Sequence, residues 1–265
     1  MTKWIALAAV IGALGFTLNA EARPSQTTPP AQKQTTIILV HGAFAGSSSW
    51  NGVIADLEAD GYPVIAAANP LRSLKGDADY VSAIARSIDG PVVLVGHSYG
   101  GEVISLAANG LHNVRALVYV SGLAPDAGES AASLGDRFPT GTLGQALAPP
   151  VPQPDGSQDL YILQSKYWLQ FAADVPEAEA RQMAATQRPV TQGALAEPSG
   201  PPAWKTIPSW FIYGSLDRNI PPALHAFMAQ RAGAREAIEV QGASHVVMIS
   251  HPREVAALIE RAAGE

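Results

Sequence analysis

Residues 96–101 read Gly-His-Ser-Tyr-Gly-Gly, after the apolar run Pro91-Val-Val-Leu-Val95 and before Glu102-Val-Ile-Ser-Leu-Ala107. This is a strand, a sharp turn with a serine at its apex, then a helix. A G-x-S-x-G nucleophile elbow requires that context. The serine of an elbow sits on a strained turn, so strand and helix backbones must approach closely around it. Gly96 and Gly100, which lack a Cβ, permit the approach. The motif therefore names Ser98 as a candidate nucleophile and demands a sheet whose strands end where helices begin.

The rest of the chain supplies such a sheet. Thr35–Val40, Tyr62–Ala66, Val92–Val95, Arg115–Val120, Trp210–Tyr213 and Ala237–Val240 read as six short strands. Helical periodicity appears between them, as at Trp50, Val53, Ile54 and Leu57, or Val81, Ile84, Ala85 and Ile88. Asp77 is placed to cap the second of these helices. Helices are also expected from Pro221-Pro222 to about 231, and from Pro252 with Val255, Leu258, Ile259 and Ala262 on one face. The expected fold class is α/β: a mostly parallel six-stranded sheet with helices on both faces. With 265 residues, 47% of them hydrophobic, the chain can bury a large core.

The alternation breaks once. More than 80 residues between Leu123 and Thr206 lack a βα rhythm and carry the aromatic cluster Tyr161, Tyr167, Trp168 and Phe171. A helix is expected over 177–186. Such an insertion is too long for a plain loop and reads as a lid subdomain after the fourth strand, at about 124–206. The folded domain, with this lid inside it, would then span 35–265.

The N-terminus has a different character. Lys3, the uncharged stretch from Trp4 to Leu18, and Ala20-Glu21-Ala22 read as a signal peptide (1–22) cleaved after Ala22. The apolar run is 15 residues, short of the roughly 20 of a spanning helix, so no stable membrane insertion is expected after cleavage. Residues 23–34, with three prolines, read as a flexible lead-in. A periplasmic or secreted location follows. The chain has no cysteine, so its stability in an oxidising compartment must come from the core.

A serine hydroxyl needs a base, and the base needs a carboxylate to orient it. The six histidines are 41, 97, 112, 225, 245 and 251. His245 follows the last strand in Gln241-Gly-Ala-Ser-His245, at the sheet edge where Ser98 emerges; His251, before Pro252, is the weaker candidate. Asp217 follows the fifth strand in Tyr213-Gly-Ser-Leu-Asp217, with Asp126 after the fourth strand as competitor. The order Ser98, Asp217, His245 is one known order for this constellation. Glu102 reads as a first-turn acid complementing the helix dipole. An oxyanion hole needs two fixed N–H donors: Tyr99, and Ala43 from His41-Gly-Ala-Phe44, with Phe44 as the alternative donor and a pocket-lining ring. Tyr161, Trp168 and Phe171 are candidate substrate-binding residues. His41 and His97 read as packed, hydrogen-bonded residues. No metal or cofactor is expected, since no His pair has ligand spacing and no dinucleotide fingerprint occurs. A net charge of −6 without a basic block argues against a nucleic-acid partner.

On these residues the chain resembles the α/β-hydrolase superfamily. The segments His41–Phe44, Gly46–Trp50, Gly96–Gly101, Asp217–Pro221 and Gly242–His245 resemble the branch of plant methylesterases, hydroxynitrile lyases and small bacterial esterases. The resemblance implies a serine hydrolase that cleaves small-molecule carboxylic esters through an acyl-enzyme. The lyases of this branch typically carry Thr after the loop histidine and Lys after the catalytic one; Gly42 and Val246 stand there and favour the esterase. The alternatives are other chemistry on the same residues (a C–C lyase or cofactor-free perhydrolase), or a ligand-binding protein with negligible turnover.

Overall fold

The computed structural model describes residues 1, 34–138 and 140–265. Apart from Met1 and Gln34, the expected signal peptide and lead-in lie outside the described residues. The elements below belong to one unit, Lys33–Glu265.

The elements alternate from the start: β1 (Thr36–Val40), a 3-10 turn, α1 (Asn51–Ala59), β2 (Val64–Ala67), α2 (Leu74–Arg86), β3 (Val92–His97), α3 (Tyr99–Ala107) and β4 (Val114–Val120). The segment after β4 is neither a plain loop nor purely helical. It holds α4 (Ala131–Arg137), α5 (Leu143–Ala146), β5 (Val151–Pro152), β6 (Gln158–Leu160), α6 (Gln164–Phe171), α7 (Glu177–Thr186), β7 (Val190–Thr191) and α8 (Gln192–Ala196). Its three short strands pair antiparallel in a separate sheet. The alternation then resumes with β8 (Ser209–Gly214), α9 (Pro222–Arg231), β9 (Glu236–Val240), α10 (Val247–Ser250) and α11 (Pro252–Ala263).

The main sheet has six strands, all parallel, in the order β2-β1-β3-β4-β8-β9. Strands β1, β3 and β8 are buried along their whole length. Their near-continuous runs of Val, Ile, Leu and Phe are what a sheet covered on both faces requires. β2 and β9 lie at the edges and are only partly buried. Among the described residues no helix is long and apolar enough to cross a membrane.

One local expectation changes. The cap of α2 is Ser73, whose side chain accepts from Gly76 N–H, and not Asp77. The helix starts at Leu74, three residues before that aspartate. Asp77 is left in its first turn, buried, accepting from the Tyr99 hydroxyl (2.9 Å) and from Arg72 N–H (3.2 Å).

Candidate active site

Ser98 sits at the junction of β3 and α3 with φ 54° and ψ −125°, a conformation few L-residues adopt. Close backbone contacts hold it there. A Cβ on Gly96 would fall on the Gly100 carbonyl, and one on Gly100 would fall on the Val40 carbonyl. A Cβ on Gly42 would lie 2.6 Å from the Ser98 Cβ, so the loop after β1 presses directly on the serine. Leu123 N–H and Gly101 N–H both donate to the Ser98 carbonyl (3.0 and 2.9 Å) and pin the turn to the end of β4.

The loops after β8 and β9 come together at the same edge. Gly242 N–H donates to Ser215 Oγ (2.8 Å), and Leu216 N–H to the Ala243 carbonyl (2.9 Å). These ties bring His245 Nδ1 to 2.7 Å from Asp217 Oδ2. Asp217 is fully enclosed by donors: Asn219 and Ile220 N–H on Oδ1 (2.8 and 3.0 Å), His245 Nδ1 and His225 Nε2 on Oδ2 (2.7 and 3.1 Å). Burial alone would push the Asp217 carboxyl up. The charge of His245 and the donors from His225 and His245 outweigh it and hold the carboxyl well below the usual range. The ionised carboxylate keeps the proton of His245 on Nδ1. Nε2 of His245 is buried, has no partner among the described residues, and so keeps an open lone pair.

His97 joins the two halves. Its Nε2 donates to the His245 carbonyl (3.2 Å), and its ring centroid lies 4.8 Å from that of His245. Burial, then the charge of His245, push its pKa well below the ordinary value, so it is a neutral spacer. His41 is likewise buried, with Nδ1 2.9 Å from the Gly42 carbonyl; desolvation lowers it to about 4. His251 caps α11, and Asp126 pairs with Lys205 at 2.5 Å on the surface; neither meets Ser98 or His245.

Ser98, Ala43 and Tyr99 line one cavity of about 530 Å³. The Ala43 and Tyr99 N–H groups are engaged by no acceptor among the described residues, whereas Phe44 N–H donates to the Arg188 carbonyl (2.9 Å). That bond removes Phe44 as the alternative donor. The Phe44 ring does line the cavity. The other candidate substrate-binding aromatics, Tyr161, Trp168 and Phe171, are not among the residues lining this cavity. Phe171 is buried beneath the site, with its ring 5.1 Å from His245 and 6.2 Å from Phe44. Trp168 donates through Nε1 to the Val175 carbonyl (3.0 Å), and the Tyr161 carbonyl accepts from Ala148 N–H (2.8 Å). Phe138, Leu143 and Leu147, from the segment carrying α4 and α5, supply the wall instead. The Leu143/Leu147 spacing was the one sequence signal for it.

Glu102 also departs from expectation. It lies in the first turn of α3 but is fully buried, and both carboxylate oxygens lack hydrogen-bond partners among the described residues. Burial first, and the nearby charge of Glu197, push its pKa well above the usual value, so it is a neutral acid and not a dipole partner. The folded chain thus holds a proton that the unfolded chain releases above its ordinary glutamate pKa. Stability from this group is full below that value and is lost as pH rises toward the folded one. Glu102→Gln is expected to flatten the decline of Tm between pH 5 and 8, by several degrees relative to wild type, in thermal melts at matched ionic strength. Parallel declines in both proteins would assign the slope to other groups.

Comparison with known proteins agrees with this architecture. Methylesterase 3 of Arabidopsis thaliana is 24% identical over 251 residues, covering 86% of this chain and 95% of that protein. Salicylic acid-binding protein 2 of Nicotiana tabacum is 25% identical over 247 residues, covering 83% and 94%. The crystal structure of polyneuridine aldehyde esterase superposes with a TM-score of 0.75 at 21% identity, covering 86% of this chain and 99% of that one. An extracellular α/β-hydrolase from a Paenibacillus species superposes with a TM-score of 0.71 at 20% identity, covering 87% and 99%. The model of the alpha/beta hydrolase family matches residues 37–258, and the chain belongs to that family, with esterase-type relatives.

Proposed function

We propose that this protein is a serine hydrolase that cleaves small, uncharged carboxylic esters through an acyl-enzyme. The observation that carries the reading is the Asp217–His245 pair: a buried, ionised carboxylate fixing a histidine whose Nε2 is open, at the sheet edge that carries Ser98. In the reaction the Ser98 hydroxyl closes onto Nε2 as the ester enters. Its oxygen attacks the carbonyl carbon while His245 takes the proton, and Ala43 and Tyr99 N–H stabilise the oxyanion. His245 then protonates the leaving alcohol. Water, deprotonated by His245, releases the acid and restores Ser98. Asp217 holds the tautomer and stabilises the imidazolium at each transfer.

The cavity supports neutral substrates. Its walls are mostly alanine, leucine, phenylalanine, isoleucine and proline with the neutral polar residues Ser98, Tyr99 and Asn219, and the one acidic residue lining it is the exposed Asp136; no Lys, Arg or His lines it. An unpaired carboxylate buried there would cost several kcal/mol, and about 1.4 kcal/mol is tenfold. A p-nitrophenyl ester with an alkyl acyl chain is expected to show kcat/KM at least about 100-fold above one whose chain ends in a carboxylate. Equal rates would mean that the acyl part stays in solvent.

We also propose that residues 124–206 act as a lid over this edge and that the chain is exported. The helices α4, α5 and α8 that wall the cavity support the first, and Lys3, the apolar run and Ala20-Glu21-Ala22 support the second. Edman sequencing of the exported protein, expected to begin at Arg23, tests the export.

The test of the activity is hydrolysis of p-nitrophenyl esters of graded acyl length, combined with a fluorophosphonate label located by peptide mass. Sustained turnover with the label on Ser98 supports the proposal. Turnover that stops after one equivalent, or a label elsewhere, overturns it in favour of a binding protein or other chemistry.

A further inference from the structure

We propose that His225 is a positioning residue for the base: its Nε2–H shares the carboxylate oxygen that orients His245, and so sets how much of the Asp217 charge His245 receives. This rests on the serine-hydrolase reading above.

The geometry is specific. A carboxylate offers about four acceptor sites, and at Asp217 two backbone N–H groups and two imidazoles fill four. The two imidazoles meet on the same oxygen, Oδ2. His225 lies in the first turn of α9, buried completely, with its backbone N–H on the Pro221 carbonyl (3.2 Å). The Tyr213 ring stacks on it at 4.8 Å and 16°, fixing the plane in which Nε2 points at Oδ2. Its Nδ1 makes no hydrogen bond of good geometry among the described residues, although the Gly122 backbone lies close enough to raise the ring's pKa. The nitrogen engaged with good geometry is the one on Asp217.

Desolvation lowers the pKa of His225, so the ring donates as a neutral group and does not compete as a base. A neutral donor on Oδ2 draws charge from the oxygen that His245 shares, which weakens the pull on an imidazolium proton. It also braces the carboxylate against rotation, as outer-shell partners do for metal-bound ligands. The groups facing this unit from its neighbours are few. His97 on β3 and His41 behind it are pushed down by burial, and Tyr213 on β8 is pushed up, so all three are neutral. On the far side of the His245 loop, Asp174 accepts from Ser244 Oγ and lies 3.9 Å from His251.

Removing the donor leaves more charge on Oδ2 for His245. In His225→Phe, which keeps a ring against Tyr213, the acid limb of kcat/KM against pH is expected to move upward by about half to one unit. In the same variant kcat is expected to fall about tenfold, with KM within about twofold. His225→Gln, with an N–H in reach of Oδ2, is expected to bring back the limb and most of kcat. A limb unmoved in His225→Phe and in His225→Leu, with only a lower Tm, would reduce His225 to packing and overturn the proposal.

The wild-type protein provides a reading that needs neither a foldable variant nor turnover. Nitrogen-15 spectra of the imidazoles are expected to show His225 as the neutral Nε2–H tautomer across the working pH range. An Nδ1–H tautomer overturns the proposal. Absence of Ser98-dependent turnover in wild type would defeat the hydrolase reading instead, and the tautomer would still report on the His225–Asp217 bond.

Discussion

Ser98→Ala is expected to lower kcat on a p-nitrophenyl ester by about 10⁴–10⁶-fold while KM changes little. The size follows from what the hydroxyl does and what remains without it. Ser98 Oγ is the atom assigned to form the acyl bond at the cavity, while the neighbouring Tyr99 hydroxyl is tied to Asp77. What remains is the pair of N–H donors of Ala43 and Tyr99 with the apolar walls, which still stabilise attack by water. The fold should hardly notice. The strained φ of 54° is enforced by Gly96, Gly100 and the bonds to the Ser98 carbonyl, all of which alanine keeps. Tm is expected within a few degrees of wild type. Steady-state kinetics with a thermal melt on the same sample checks both parts, and retained turnover in a folded variant would remove Ser98 from the chemistry.

Asp217→Asn is expected to lower kcat by about 10²–10⁴-fold with the backbone intact. The amide must place one oxygen and one NH2 where the carboxylate had two acceptors. Asn219 and Ile220 N–H are fixed by the turn after β8, so the oxygen is held on their side and the NH2 faces the imidazoles. His245 can then meet the side chain only by accepting on Nδ1, which moves its proton to Nε2 and turns the base into a donor toward Ser98. Stability changes as well. The Asp217 carboxyl is depressed in the folded protein, so its contribution is present above the unfolded value and lost as pH falls through the folded one. The variant should therefore be less stable than wild type at pH 7, with the gap narrowing toward strongly acidic pH. A pH series of melts measures this. Near-normal turnover in the asparagine variant would remove Asp217 as the orienting group.

Much of this protein is legible locally. The elbow is readable because its geometry needs only neighbours in sequence: a buried strand, two glycines around the serine, and a helix. Asp217 and His245 are readable because each follows a strand, and parallel strands deliver their C-terminal ends to one edge. The helix over Glu177–Thr186 is readable for the same local reasons. The errors have one origin. Phe171 and Trp168 form an aromatic cluster that suits a ligand wall and a core equally well, and only packing beneath His245 separates the two. Glu102 has the spacing of a dipole partner, but the elements closing over α3 take it out of water. Asp77 has the character of a cap and is instead held by a tyrosine from the elbow.

The sequence by itself determined the strand–helix alternation, the parallel sheet and the serine elbow with its edge, since each depends on short-range periodicity and backbone sterics. Tertiary structure alone decided the partners of those groups. The bond from His245 to Asp217 spans 28 residues and the one from His97 to His245 spans 148. The choice of Ala43 over Phe44 as the open donor hangs on a carbonyl at Arg188. Such pairings are set by which loops the packed sheet brings face to face, and no local pattern records the burial that makes a shared carboxylate or a neutral glutamate.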